Sequence, residues 1–204
     1  MLSRGKRAAV RAIALLFFVL GAVRIAEAPL PLVAPGYIGW SGSLSRGVIG
    51  EPEALLPEAA RFKLAADPAL RTRYLRRLET PDVRTAHFLL TLLIDVPVIV
   101  ILCGMGVALW RSTRLVPEAV ESGLPWLMAV GWACVAISLG FPIVDGFRTG
   151  MLVQGVLPGH DLFWYDPDTG ATSYIMLLIA AGILAATWTI SAGLKARADM
   201  AEIV

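Results

Sequence analysis

The sequence predicts an all-α membrane protein, a four-transmembrane-helix bundle with a helical external loop between spans one and two. Three observations carry that expectation. Of 204 residues, 57% are hydrophobic and only 17% are charged, and the mean hydropathy of +0.70 lies outside the usual soluble range. The apolar residues gather into four runs, each long enough to cross roughly 30 Å of hydrocarbon at about 1.5 Å per residue. Charged residues collect at the edges of those runs, and Asp95, near the middle of the second, is the exception.

The first span is expected at about 8–28, with a charge-free core over 12–23 and Arg11 and Arg24 able to snorkel from its two ends. A basic start and the Ala26-Glu27-Ala28 sequence also fit an exported leader. Arg24 interrupts that pattern, however, and Pro29 is a poor residue to follow a cleavage site, so an uncleaved helix is expected. The second span, about 86–110, is preceded by Thr80-Pro81-Asp82, which reads as an N-cap, a proline at the first helical position and an acidic first turn. The third and fourth spans are expected at about 122–144 and 173–194. That arrangement leaves a long external loop at 29–85 and a second at 145–172, within a single integral membrane domain.

Orientation follows from Lys and Arg in the short segments. Arg4, Lys6, Arg7, Arg11, Arg111, Arg114, Lys195 and Arg197 share one side, whereas the 145–172 loop holds only Arg148 among Asp145, Asp161, Asp166 and Asp168. Both termini are therefore expected in the cytoplasm, with the protein a multi-pass one of the plasma (inner) membrane. Trp110, Trp126 and Trp188 toward the cytoplasmic face, and Trp164 on the other, match interfacial belts.

In the long loop, the Pro- and Gly-rich stretch 29–50 argues for irregular chain. Residues 54–66 and 68–79 are expected to be helical, the second opened by Asp67-Pro68. Leu70, Tyr74 and Leu78 form an apolar stripe there, opposite Arg71, Arg73, Arg76 and Arg77. The arginines are either a solvated face or a receptor for an anionic ligand or lipid headgroup. With His87, His160 and Asp161 they make up the candidate external surface site. The second external segment contains a Phe163-Trp164-Tyr165 triplet before a turn. His160 and its neighbouring carboxylates contain ligand types, but no metal-binding spacing such as H-E-x-x-H, so no metal is expected.

Asp95 is the residue that asks for an explanation, because a carboxylate at mid-span costs about 2.5 to 3.5 kcal/mol to insert and normally has a partner or a purpose. It lies roughly 13 Å below the boundary at Ala86 by helical rise. Pro97 follows, removing a backbone donor and favouring a kink. Arg24 is the expected partner, forming an intramembrane polar pair, with Ser138 as a further candidate. The alternative is a small transporter or channel subunit in which Asp95 is a midplane site. A relay needs further stations, and the spans add only Thr91, Ser138, Thr187, Thr189, Ser191, two thiols and His87.

Other classes find little support. The net charge of +2 is scattered, which disfavours direct nucleic-acid binding. Cys103 and Cys134 lie inside apolar runs with no C-x-x-C pair, which disfavours thiol-disulfide exchange. The sequence has no G-x-S-x-G, no phosphate loop and no paired intramembrane carboxylates. Small residues at Gly104, Gly106, Gly131, Ala181 with Ala185, and Gly182 with Ala186 are expected to let helices approach closely.

The layout of four spans, a long first loop, Pro117-Glu118-Ala119-Val120 leading to Gly131-Trp132, and the acidic tail at 198–204 resembles a bacterial four-span membrane family, the domain of unknown function 2975. The resemblance implies a four-helix membrane protein, often encoded beside a small helix-turn-helix regulator, and it supplies no catalytic residues. The combined expectation is a non-enzymatic integral membrane protein that senses, scaffolds or binds a partner and uses no cofactor. Its expected contacts are membrane lipids and a second copy or another membrane protein.

Overall fold

A computed structural model describes residues 4–33, 56–113, 121–159, 163 and 167–203. These residues form α1 (Arg4–Glu27), the single turn α2 (Leu30–Val33), α3 (Glu58–Ala66), α4 (Pro68–Leu78), α5 (Pro81–Ser112), a 3-10 turn at Glu121–Gly123, α6 (Leu124–Gln154) and α7 (Pro167–Ile203). Four of the helices are long and apolar enough to cross a membrane, over Gly5–Glu27, Pro81–Ser112, Glu121–Gln154 and Ser173–Arg197. The fold is an all-α four-helix membrane bundle. The outward side chains fit this reading, because Leu15, Leu16 and Val19 on α1 and Ile175, Leu178 and Trp188 on α7 are exposed, as a lipid-facing surface requires.

The chain divides into two compact units, each built from several separate stretches. The first, here the terminal unit, comprises Met1–Arg24, Val96–Ser138 and Ala171–Val204; the second, the loop unit, comprises Ile25–Asp95 and Leu139–Gly170.

In the terminal unit an apolar core joins Val130 and Cys134 of α6 to Ala180 of α7, flanked by Ile101, Met105, Val135 and Ile183. Glycine allows close contact at two places. A Cβ on Gly131 would lie 2.6 Å from a methyl of Leu184, and one on Gly106 would lie 2.9 Å from the ring of Phe18. α6 therefore meets α7, and α5 meets α1, closer than alanine permits. Gly182 has open space around it, and Ala181, Ala185 and Ala186 are exposed. The contact face of α7 is instead made by Ala180, Leu184 and Thr187, one or two residues around the helix. Arg11 donates to Thr113 Oγ1 at 3.2 Å and sits 5.8 Å from the centre of the Trp110 ring. Arg111 donates to the Ser122 carbonyl at 2.7 Å and stacks over Trp126, also at 5.8 Å. Two of the expected interfacial tryptophans thus receive arginine cations on their faces.

In the loop unit, the Leu70, Tyr74 and Leu78 stripe packs as its period requires. Tyr74 and Leu78 are buried with Leu56, Ala60 and Leu64 against Leu152, Val153 and Val156, and Leu70 and Val83 pack at the edge. The two short helices thereby form a hairpin held on the end of α6. Asp67 caps α4, accepting from the Ala69 and Leu70 amides at 2.9 and 3.0 Å. Thr80 departs from the sequence expectation. Its hydroxyl turns back to donate to the Arg77 carbonyl at 2.7 Å, closing α4 instead of capping α5, because only two residues separate the helices.

The larger difference lies at the end of the third span. The apolar run ends at Val144, and the sequence reading placed 145–172 in a loop, but α6 continues as helix to Gln154. The extra turns keep Leu152 and Val153 in phase with the hairpin core. That packing accounts for the continuation.

Candidate functional site

α5 presents His87, Thr91 and Asp95 on one face, four residues apart, and all three are buried, at 3%, 7% and 5% exposure. The facing set comes from the extended end of α6, where Asp145, Arg148 and Thr149 are also buried. The charges are mutually felt. Arg148 lies within Coulombic range of Asp145 and Asp95 and of His87. All six residues belong to the loop unit, so one unit by itself holds an imidazole, a guanidinium, two carboxylates and two hydroxyls out of water.

Hydrogen bonding within this cluster is uneven. Both ring nitrogens of His87 and the hydroxyl of Thr91 are buried with no hydrogen-bond partner among the described residues. Unmatched buried polar groups are expensive, about 1–3 kcal/mol each, so a pair of them one turn apart is an unusual concentration. Pro97 adds a polar element just beyond, since it lies inside α5 and withdraws the amide that would have bonded the Leu93 carbonyl. α6 carries its own internal proline, Pro142.

The terminal unit handles its buried hydroxyls differently, although Arg7 Nε there is also buried with no hydrogen-bond partner among the described residues. Ser138 donates to the Cys134 carbonyl at 2.7 Å, Thr187 to the Ile183 carbonyl at 2.7 Å and Thr113 to the Trp110 carbonyl at 2.8 Å. Each hydroxyl is satisfied by its own helix, the usual way for Ser and Thr to be accommodated in a span. Among the described residues of that unit, no Asp, Glu, Lys, Arg or His is buried.

The sequence candidates separate accordingly. Asp95 is buried as expected, and Arg24 is half-buried near the end of α1, in the terminal unit. Arg71, Arg73, Arg76 and Arg77 are all exposed on α4. His87, expected with them on the external surface, is instead buried, because it shares the inward face of α5 with Thr91 and Asp95. His160 and Asp161 lie outside the described residues. No group of three or more His, Cys, Asp or Glu suited to a metal occurs among the described residues.

Hydropathy alone does not mark Arg148, Asp145 and Thr149, because they lie beyond the apolar run that ends at Val144. Their signal was present in the pattern. Asp145, Arg148, Thr149 and Leu152 follow one another at helical intervals, and Leu152, Val153 and Val156 resume apolar character beyond them. No family model, curated protein or solved structure matches the chain.

Proposed function

We propose that this chain is a non-enzymatic sensor of a bacterial plasma membrane, with both termini in the cytoplasm and the buried polar cluster of the loop unit turned toward the external side. The observation that carries this reading is the confinement of buried charge to one unit. Every described buried Asp, Arg and His belongs to the loop unit, and the hydroxyls of the terminal unit are bonded to their own helices. A buried charged cluster confined to one unit suits detection of a signal and its relay to a partner. Asp95 then serves as a buried polar tie, with Arg148 of the same unit as its cation. Membrane lipids, a second copy of the chain or another membrane protein are the contacts proposed for the exposed surfaces. Through the family resemblance, a small helix-turn-helix regulator is the proposed genetic neighbour.

The competing reading, a small transporter or channel subunit working through Asp95, needs ionisable stations in both halves, and the described residues of the terminal unit supply none in its core. A proteoliposome flux assay separates the two. The wild type is expected to show no coupled ion or proton flux, and Asp95→Asn is expected to match it. Flux in the wild type that disappears in Asp95→Asn would establish transport instead.

A further inference from the structure

We propose that His87 and Thr91 form a proton-access path from the end of α5 to Asp95, so that the signal read by the loop unit is proton concentration. The inference deepens the sensing proposal and rests on it only for the meaning of the signal; the path stands or falls on its own geometry.

The spacing comes first. His87, Thr91 and Asp95 lie at successive four-residue intervals, a rise of about 6 Å per step, which one water molecule hydrogen-bonded to both side chains can span. The chemistry of the three groups is ordered for transfer. A neutral imidazole accepts a proton on one ring nitrogen and releases one from the other. A hydroxyl accepts on a lone pair while its own hydrogen moves on. A carboxylate is the terminus, taking the proton to become a carboxylic acid. One O–H bond of a hydronium ion breaks at the entrance, leaving water, and one O–H bond forms at Asp95, so no other reactant is needed.

The hydrogen-bond pattern then distinguishes these two residues from ordinary core polar groups. Thr187 and Ser138 spend their hydroxyls on the carbonyl one turn back. Thr91 does not, although its helical position offers the same bond, and neither nitrogen of His87 is engaged by a described residue. His87 is 97% buried, as the complement of its 3% exposure. A histidine whose two ring nitrogens bond no described residue keeps both available, as a shuttle requires.

The charged surroundings determine what the proton does on arrival. From α6, Arg148 and Asp145 act on the cluster; on α5 itself, Arg84 lies one turn before His87 and donates to the Leu32 carbonyl. Protonating Asp95 removes the negative charge that Arg148 faces on α5 and leaves Asp145, on its own helix, as its counter-ion among these residues. The attraction linking the two spans weakens, and this is the conformational output of the sensor.

The test is a pH jump on the full chain in nanodiscs, followed by time-resolved infrared spectroscopy of the carboxyl region. The wild type is expected to show a carboxylic acid band that grows on acidification between about pH 9 and pH 4 and is missing in Asp95→Asn. His87→Phe and Thr91→Val are expected to slow its appearance at least about tenfold, the loss expected when a positioned proton carrier is removed, while Thr91→Ser keeps the wild-type rate. The Thr91 pair covers the case in which His87→Phe does not fold. Absence of an Asp95-dependent band across that range, or equal rates in Thr91→Val and Thr91→Ser, would overturn the path. Neither result bears on the flux assay, so failure of the path and failure of the sensing reading are distinguishable.

Discussion

Arg148 on α6 and Asp95 on α5 lie within Coulombic reach of one another while both are buried. Two charges of opposite sign, taken out of water on different helices, make the loop unit sensitive to the loss of either. Removing Arg148 leaves both Asp95 and Asp145 without the cation that acts on them, at a cost of about 3–5 kcal/mol, whereas removing Asp95 leaves Arg148 the carboxylate of Asp145. Arg148→Ala is expected to lower stability in detergent by that order, Asp95→Ala by less, and the double variant by less than the sum, with a coupling of about 0.5–3 kcal/mol. The same cycle run with Arg24→Ala tests the partner expected from the sequence. Additive losses there, with coupling at Arg148, would make Arg148 the cation that matters.

The close approach of α6 to α7 gives a second prediction, because a side chain on Gly131 meets Leu184 at once. Gly131→Val is expected to destabilise the protein by about 1–3 kcal/mol, and adding Leu184→Ala is expected to recover part of that loss. Gly182→Ala, where nothing lies within 4 Å, is expected to be neutral or to stabilise by up to about 1 kcal/mol through helix propensity. Thermal unfolding in detergent measures both, and equal losses at the two glycines would contradict the packing.

The hairpin of α3 and α4 divides sharply into a face that holds it and a face that does not. Tyr74 is 1% exposed in the core with Leu152 and Val153, so Tyr74→Ala is expected to cost about 3 kcal/mol or more and to raise hydrogen exchange throughout both helices. Replacing Arg71, Arg73, Arg76 and Arg77 with Gln, one at a time, is expected to change stability by no more than about 0.5 kcal/mol. If those arginines bind anionic headgroups, the fourfold variant loses bound anionic lipid in native mass spectrometry while its unfolding temperature holds.

Much of this architecture was legible in the sequence because bilayer thickness imposes a length on apolar runs. The four spans and the apolar stripe of Leu70, Tyr74 and Leu78 follow from hydropathy and period alone. The end of α6 did not, since beyond Val144 the helix is sustained by contacts from residues around position 60 and position 75, which no local window contains. Hydropathy therefore places Asp145 and Arg148 in a loop and leaves Arg24 on α1 as the cation it offers to Asp95. His87 misled for a related reason. Its place near the end of a span suggested surface, and only the helical phase it shares with Thr91 and Asp95 turns it inward. The small residues of α7 show the converse limit, since a pair spaced four apart identifies a stripe without saying which neighbour, if any, lies against it.

The self-bonded hydroxyls of the terminal unit bear on how the protein meets an electric field. A membrane potential does work on charge that moves through it, about 2.3 kcal/mol per elementary charge for each 100 mV. In that unit no described Asp, Glu, Lys, Arg or His is buried for it to pull on. Among its described residues the unit has no buried arginine ladder of the kind by which a voltage sensor is driven. Whatever voltage the cell maintains, the only buried charges on which it can act directly, among the described residues, are Asp95, Asp145, Arg148 and a protonated His87.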